Sequence, residues 1–303
     1  MSQRFVKEKI TGEIRLNKYL SDAGVCSRRE ADRMIEAGQV KVDGITATQG
    51  MKITADQQVA VKGQLVEREQ EMILLAVNKP RGIVCTTDRR WDDETIYDLV
   101  NYPKRIFSIG RLDKDSEGLL LMTNYGDILN KMMRAGNYHE KEYLVTVDKK
   151  ITPEFLEKMR NGVYLKELDV KTRPCRIELA GEKQFRIILT QGLNRQIRRM
   201  CETLRYKVTR LIRVRVMNIE LGDLKPGEYR QITRKEFAEL MAKLKDSVNN
   251  PKYPPKNEDH RKSQKENASR VDHAGSGNGK REMEKAGNMK NKKTRQERNR
   301  KSR

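Results

Sequence analysis

Three acidic residues in one short segment are the first candidates for chemistry. Residues 107–124 read F-S-I-G-R-L-D-K-D-S-E-G-L-L-L-M-T-N, so that Asp113, Asp115 and Glu117 lie between two glycines and directly before an apolar run. This pattern predicts an exposed loop that precedes a buried strand, a position in which a fold holds catalytic side chains well. Because Asp is also common in ordinary turns, the pattern alone does not separate a catalytic acid from a turn residue.

Histidine is scarce enough to restrict the possible reactions. The chain contains three histidines, His139, His260 and His273, and the last two fall in a C-terminal segment that we expect to be unfolded. A Ser-His-Asp or Cys-His arrangement would therefore have to use His139, and a site that needs several histidine ligands is excluded. Catalysis must depend on a carboxylate, a tyrosine, a lysine or an arginine.

The sequence lacks the common motifs of cofactor-dependent chemistry. It contains no G-x-x-x-x-G-K-[ST] phosphate loop, no G-x-G-x-x-G after a strand and no H-E-x-x-H. The cysteines are far apart and form no C-x-x-C pair, so we expect reduced thiols and no zinc site. They are Cys26, Cys85, Cys175 and Cys201. The sequence thus predicts a reaction that uses no metal, nucleotide or other cofactor.

The charge balance indicates a polyanionic partner. Lys and Arg total 64 against 43 Asp and Glu, which gives a formal net charge of +21. Nucleic acid is the leading candidate, and on charge alone a basic protein without such a partner stays an alternative. No apolar run reaches the length of a membrane span, and the N-terminus lacks the apolar stretch of a signal peptide. We therefore expect a cytoplasmic protein with no membrane partner.

Residues 246–303 differ in composition from the rest of the chain. They contain no Leu, Ile, Phe or Trp and carry 17 basic against 8 acidic residues, a local charge of +9. Such a segment buries too little apolar surface to offset its ordering entropy, so we predict a disordered basic tail. The tail either strengthens RNA binding through counterion release or only aids solubility.

A small first module is expected at residues 13–72. Its first amphipathic helix ends at Gly24, and Ser27 and Glu30 predict a capping box at the start of a second helix. A small sheet follows. The polar faces of the two helices leave a compact basic surface that suits a phosphate backbone. This surface consists of Arg15, Lys18, Arg28, Arg29 and Arg33.

A larger domain is expected from residue 73 to residue 245. It opens on a continuous apolar run, Ile73 to Val77, that is typical of a strand buried on both faces. Strand and helix patterns then mix without a regular beta-alpha-beta repeat, which favours an α+β fold. Further strands are predicted near 142–147, 175–179 and 185–189, and helices near 96–100, 127–133, 153–160, 194–204 and 235–245.

Two parts of the sequence resemble known families. In the first module, R-L-N-K-Y-L, C-S-R-R-E-A and G-x-V-x-V-D-G resemble the alpha-L RNA-binding module of ribosomal protein S4. In the larger domain, G-R-L-D-x-D-S-E-G-L-L-L-x-T-N resembles the signature of the small-subunit-type ribosomal pseudouridine synthases. The second resemblance implies a cofactor-free isomerase for a uridine of ribosomal RNA, built on a mixed α+β domain with a central, mainly antiparallel sheet. It also implies that Asp113 is the essential acid and that Asp115 and Glu117 are not.

Two more segments match the synthase family residue by residue. They are K-E-Y-L-V at residues 141–145 and Q-G-L-N-R-Q-I-R-R-M at residues 191–200. By the resemblance, Tyr143 packs against the target uracil, and Arg198 pairs with the catalytic aspartate and fixes its charge and orientation. A solvated helix face is the alternative interpretation of the second segment. Further RNA contacts are expected from Arg111, Arg195 and Arg199.

The resemblance leaves the target and the catalytic step open. Its details favour a uridine near the peptidyl-transferase region of 23S ribosomal RNA and a tRNA anticodon as a secondary substrate. We also expect a monomer. A synthase for 16S ribosomal RNA or tRNA and a non-catalytic RNA-binding assembly factor are the alternatives. The carboxylate of Asp113 could attack the sugar carbon or remove a ribose proton.

Overall fold

The computed structural model describes residues 5–87, 93–245 and 247 of the 303-residue chain. The predicted basic tail thus lies outside the described residues, apart from Ser247. Within the described ranges, no helix is both long and apolar enough to cross a membrane.

Short helices and strands mix along these ranges, as the α+β prediction requires. The helices are α1 (Leu16–Asp22), α2 (Arg28–Glu36), α3 (Ile96–Val100), α4 (Gly126–Met133), α5 (Pro153–Arg160), α6 (Gln196–Thr203) and α7 (Arg234–Leu244), with 3-10 turns at Ala135–Asn137 and Lys166–Leu168. The strands are β1 (Phe5–Val6), β2 (Ile14–Arg15), β3 (Val40–Val42), β4 (Ile45–Thr46), β5 (Lys52–Ile53), β6 (Val59–Val61), β7 (Gln64–Leu65), β8 (Glu71–Met72), β9 (Leu74–Lys79), β10 (Phe107–Ile109), β11 (Glu117–Thr123), β12 (Lys141–Val147), β13 (Tyr164–Leu165), β14 (Val170–Lys171), β15 (Arg176–Gly181), β16 (Gln184–Leu189), β17 (Val208–Val216), β18 (Ile219–Glu220) and β19 (Tyr229–Gln231).

The first module places α1 and α2 against a small sheet of β4, β3, β6 and β7. Leu16 and Leu20 of α1 and Ile35 of α2 are buried in its core, which follows from their helical spacing. Asp43 and Gly44 both have positive φ, 50° and 83°, in the two-residue turn between β3 and β4. An Asp-Gly pair adopts this turn readily because it matches the twist of the flanking strands.

The predicted capping box at the start of α2 is half formed. The Ser27 hydroxyl accepts a hydrogen bond from the Glu30 backbone amide at 3.2 Å. The Glu30 carboxylate does not return to the Ser27 amide but lies 2.9 Å from the Arg33 guanidinium. A charge partner one turn away competes with the neutral backbone donor for that carboxylate.

The central sheet of the larger domain follows the order β15-β16-β12-β17-β11-β9-β19, with β10 added beside β11 and β18 beside β17. The described strands pair antiparallel along this path except β11 and β17, which run parallel. The prediction of an α+β domain with a central, mainly antiparallel sheet is confirmed.

Strands β9 and β11 are buried on both faces. Alternate residues enter two different hydrophobic cores: Leu74 faces the core that holds α4 and α7, and Leu75 faces the core that holds α3. A third core packs α5 and α6 on β12, β16 and β17. The continuous apolar run in the sequence is the result of this two-sided burial.

Strand β17 is a central strand that the sequence patterns did not predict. Its nine residues alternate apolar and polar only loosely, because Arg210, Arg213 and Arg215 interrupt the apolar positions. The strand is held between β12 and β11 by tertiary pairing. Its position brings Arg213 into the middle of the sheet, directly opposite Tyr143 of β12.

Lys18 connects the first module to the larger domain. Its amine lies 2.8 Å from the Asp22 carboxylate and 3.0 Å from the Asp127 carboxylate of α4. This engagement differs from the predicted contact with RNA, because two carboxylates already share the charge. The residues before the module also form part of the junction, since Phe5 pairs with Met72 in the β1–β8 ladder.

Candidate active site

The loop between β10 and β11 holds the acidic residues in a fixed conformation. Gly110 begins the loop with φ +74°, and a side chain there would collide with Met133 of α4. The Ser116 amide donates to the Asp113 carbonyl at 3.0 Å, and the Gly82 amide donates to the Lys114 carbonyl at 2.8 Å. Asp113 and Asp115 thus lie on a loop that precedes a buried strand, as predicted, whereas Glu117 is the first residue of that strand, β11.

Lys79 supports the same loop from below. Its side chain is fully buried, and its amine donates to the carbonyl oxygens of Ser116 at 2.8 Å and Pro80 at 3.0 Å. Burial lowers the pKa of Lys79 below its ordinary value. This residue was not among the predicted site residues, because a lysine at the end of a buried strand gives no sign of its contacts in the sequence.

Two arginines at the start of α6 contact Asp113 and Asp115. Arg195 Nη1 lies 3.6 Å from Asp113 Oδ2 and 3.3 Å from Asp115 Oδ1. Arg198 Nη2 lies 3.2 Å from Asp115 Oδ2 and also donates to the Asp115 carbonyl at 3.0 Å. The described structure therefore pairs Asp113 with Arg195, whereas the resemblance implied Arg198 as its partner.

The two arginines differ in how firmly they are held. Arg198 is buried in the protein and also donates to the Val208 carbonyl, whereas Arg195 is exposed. Arg195 precedes α6 with a positive φ of 49°, a conformation that a non-glycine residue adopts only where its surroundings enforce it. Partial burial tends to raise the pKa of Asp115, but the two guanidinium groups outweigh it and hold that pKa below its ordinary value.

Asp113 lines two cavities. One, of about 340 Å³, lies over the sheet, and the other, of about 410 Å³, lies over the segment from Val84 to Thr86. The side chain of Asp113 is 38% exposed, so that a substrate can reach it from either cavity. Volumes of this size suit a single nucleotide or part of one.

The floor of the smaller cavity is the face of the central sheet. The strand residues that line it are Lys141, Tyr143, Leu189, Leu211 and Arg213. Tyr143, the predicted partner of the uracil, is thus in the same cavity as Asp113. Lys141 and Arg213 were not predicted as site residues. The alternation of β12 points to Lys141, since residues two apart share a face of a strand, but no pattern placed β17 beside it.

The predicted RNA-binding residues fall into two groups. Arg33, Arg199 and Arg195 are engaged with acidic side chains: Glu30, Glu167 and the aspartates of the loop. The others, apart from Lys18, are exposed and form no ion pair with a described residue. They are Arg15, Arg28, Arg29 and Arg111.

Comparison with known families agrees with this architecture. Residues 73–203 match the family described as RNA pseudouridylate synthase, and residues 14–59 match the S4 domain. A solved structure titled "Crystal structure of pseudouridylate synthase" is similar over 75% of this chain and 99% of its own, with a TM-score of 0.57 and 28% sequence identity.

Several curated proteins are similar over most of the chain. The "Dual-specificity RNA pseudouridine synthase RluF" of Salmonella typhi is 50% identical over 240 residues, which cover 78% of this chain and 82% of that protein. The protein of the same name from Shigella flexneri is 51% identical over 241 residues, with 79% and 82% covered. The "Ribosomal large subunit pseudouridine synthase B" of Bacillus subtilis is 39% identical over 237 residues, with 75% and 96% covered.

Proposed function

The chain belongs to the small-subunit-type family of RNA pseudouridine synthases, and on this premise we propose that its substrate is a uridine of 23S ribosomal RNA and that Asp113 carries the reaction. One observation supports the catalytic assignment above the others: Asp113 is an accessible carboxylate that shares a cavity with the Tyr143 ring and an ion pair with Arg195. The sequence motif and the geometry therefore both support the proposal of Asp113.

The reaction breaks the C1′–N1 bond of the uridine, turns the base and joins C1′ to C5, after which the proton of C5 is lost to restore the ring. The electron pair of the broken bond leaves with the base, so the sugar becomes electron-poor. A carboxylate beside the ribose can attack C1′ or remove the C2′ proton, and both steps need Asp113 in the same place. The Tyr143 ring would support the flipped base, and the flip costs a few kcal/mol that such contacts offset.

Arg195 and Arg198 would serve this carboxylate in different ways. Arg195 contacts Asp113 directly at the exposed rim, where it also can meet a phosphate. Arg198 acts through Asp115, because it holds both the carboxylate and the carbonyl of that residue and so fixes the loop that carries Asp113. We therefore describe Arg198 as a positioning residue.

Replacement of Arg198 by Ala should lower the rate of pseudouridine formation about 100-fold with less than about a 3-fold change in RNA affinity, because the loop loses its buried anchor. Single-turnover rates and filter-binding affinities measure the two effects. Arg186→Ala is the matched control, since Arg186 pairs with Glu142 on an exposed part of the sheet. An affinity loss as large as the rate loss would reassign Arg198 to phosphate binding.

The names of the relatives support the proposed target. The Bacillus subtilis protein is named for the large ribosomal subunit, and the Salmonella typhi protein is named for dual specificity. We propose 23S ribosomal RNA as the main substrate and a tRNA as the second. We also propose that residues 13–72 bind RNA, that residues 73–245 catalyse the reaction, and that the enzyme acts in the cytoplasm, where both RNAs occur. The exposed arginines would contact the RNA backbone.

Mapping of pseudouridines in all cellular RNA of a strain without the protein tests the target. We expect one site in 23S ribosomal RNA to lose its modification, with a tRNA site as the second. Both should return with the wild-type gene but not with an Asp113→Asn gene. Loss of a site only in 16S ribosomal RNA would contradict the proposed target, while unchanged modification everywhere would contradict the proposed function as a whole.

A further inference from the structure

The floor of the catalytic cavity contains two positive charges. Lys141 and Tyr143 lie two residues apart on β12, and Tyr143 is paired directly with Arg213 of β17. All three side chains line the cavity that Asp113 also lines. We call Lys141 and Arg213 the cationic floor.

Both members of the cationic floor are buried without an acidic partner. Lys141 is 6% exposed and Arg213 is 3% exposed, and neither forms an ion pair with any described carboxylate. The Lys141 amine donates to the His139 carbonyl at 3.1 Å, and Arg213 Nε donates to the Leu119 carbonyl at 2.7 Å. Arg213 Nη2 is buried with no hydrogen-bond partner among the described residues.

Other buried cations of the same region have more partners in the protein, although Arg198 Nε, like Arg213 Nη2, has no hydrogen-bond partner among the described residues. Lys79 donates to two carbonyl oxygens, and Arg198 pairs with the Asp115 carboxylate. A buried charge without a partner is unfavourable, and burial together with the nearby Arg213 lowers the pKa of Lys141 to about 8. Two such groups beside the proposed catalytic acid indicate a ligand with hydrogen-bond acceptors, which would accept from the N–H groups that the protein leaves unpaired.

The position of the cationic floor identifies that ligand as the base rather than a phosphate. A ring packed on Tyr143 would present its edge to the neighbouring Arg213 and Lys141, whereas the exposed Arg111 and Arg195 stand at the rim where a backbone phosphate would lie. The edge of uracil carries the acceptors O2 and O4. Cytosine instead presents an amino group at C4, which would face these donors unfavourably.

We propose that Lys141 and Arg213 bind the carbonyl oxygens of the target uracil and stabilise the negative charge that the base acquires when the C1′–N1 bond breaks. The inference rests on the proposed role of Asp113 in the same cavity. The electron pair of that bond moves to N1 and is delocalised onto O2 and O4, and it is consumed again when C5 bonds to C1′. The same charge develops whether Asp113 attacks the sugar or removes its proton.

Replacement of Lys141 by Met tests the inference on the full-length protein. The substrates are transcripts of the mapped target segment made with uridine or with 5-fluorouridine, whose fluorine stabilises the base anion. We expect the single-turnover rate of base cleavage to fall about 100-fold for uridine but only about 10-fold for 5-fluorouridine, with RNA affinity nearly unchanged. Lys183→Met, at an exposed position outside the cavity, should leave all three values unchanged.

A Lys141→Arg variant separates charge from packing. It should keep at least about a third of the wild-type rate, because it retains the positive charge. The wild-type kcat/KM should fall above about pH 8 as Lys141 loses its proton, and the fall should move to higher pH in the Arg variant. The other charged groups on this cavity, Arg111, Asp113, Arg195 and Arg213, are present in both proteins.

Three results would overturn the inference. They are equal losses on the two substrates in Lys141→Met, a Lys141→Arg variant as slow as Lys141→Met, and a pH profile that does not move. An affinity loss that matches the rate loss would instead assign the floor to phosphate. The Asp113→Asn protein is assayed alongside: if it is inactive while Lys141→Met is fully active, only the inference about the floor fails.

Discussion

Replacement of Asp113 by Asn should lower the rate of pseudouridine formation by at least about 10,000-fold, while RNA affinity and folding stay close to wild type. Asn has the same size and accepts similar hydrogen bonds, but it has no charge with which to attack C1′ or to take a proton. The Asp113 side chain is 38% exposed, and its only described ion pair is with Arg195 at 3.6 Å. The protein therefore loses little stability when the carboxylate is removed.

Asp115→Asn is the matched control on the same loop. Asp115 contacts both Arg195 and Arg198, so that its replacement should loosen the loop and lower the rate about 10- to 100-fold. Single-turnover assays on ribosomal RNA from the strain without the protein compare the two variants directly. If Asp113→Asn stays active while Asp115→Asn is inactive, Asp115 is the catalytic acid and the family correspondence fails at Asp113.

Replacement of Gly118 by Ala should destabilise the protein by about 3 kcal/mol or more. Gly118 is paired with Arg213 where β11 and β17 run parallel, and its φ is +98°. An added Cβ would lie 2.3 Å from the Arg213 carbonyl oxygen and 2.8 Å from its backbone nitrogen. Because both are backbone atoms within a central strand pair, the clash is relieved only by separation of the strands, and the midpoint of thermal unfolding should fall by about 6 °C or more.

Gly181→Ala provides the comparison for this variant. Gly181 also lies in a strand, at the edge of the sheet in β15, and an added Cβ would be 3.6 Å from Gln184 Cβ, an ordinary contact. Its unfolding midpoint should stay within about 2 °C of wild type, since a substitution at an exposed site without a close contact costs little stability. Equal midpoints for the two variants would show that the strand pair tolerates a wider spacing. Those Gly118→Ala molecules that remain folded should also form pseudouridine more slowly than wild type, because β11 begins directly after the loop that carries Asp113.

Local patterns in the sequence determined many of the elements. The start of α5 is an example, since the Thr152 side chain accepts from the Phe155 amide and Pro153 occupies the first turn. The apolar run of β9 likewise predicted a strand buried on both faces, and that of β11 predicted a buried strand, because few other environments accept an unbroken series of large apolar residues. The resemblance to the synthase family then implied Asp113 among three neighbouring acids, a choice that composition and turn chemistry left open.

The partners of the site residues were decided by the tertiary structure. The sequence placed Arg195 and Arg198 on one short helical segment, but only the approach of α6 to the loop between β10 and β11 pairs Arg195 with Asp113 and Arg198 with Asp115. The sequence assigned Lys18 to the RNA-binding surface, and only the approach of α4 places Asp127 beside its amine. An ion pair depends on the distance between two elements, and that distance has no local signature in either of them.

The cationic floor is the clearest case of this division. The sequence places Lys141 and Tyr143 two residues apart in the K-E-Y-L-V motif, so the strand that carries both residues was predictable from local pattern. Arg213 lies on β17, a strand that the sequence did not predict because its arginines interrupt the apolar pattern. The order of strands in the sheet brings Arg213 opposite Tyr143. By itself the sequence determined the family and most elements, and through the family resemblance it led to the proposal of Asp113 as the catalytic acid. The tertiary structure alone decided which charges line the cavity, because strand pairing and burial arise from contacts between distant segments.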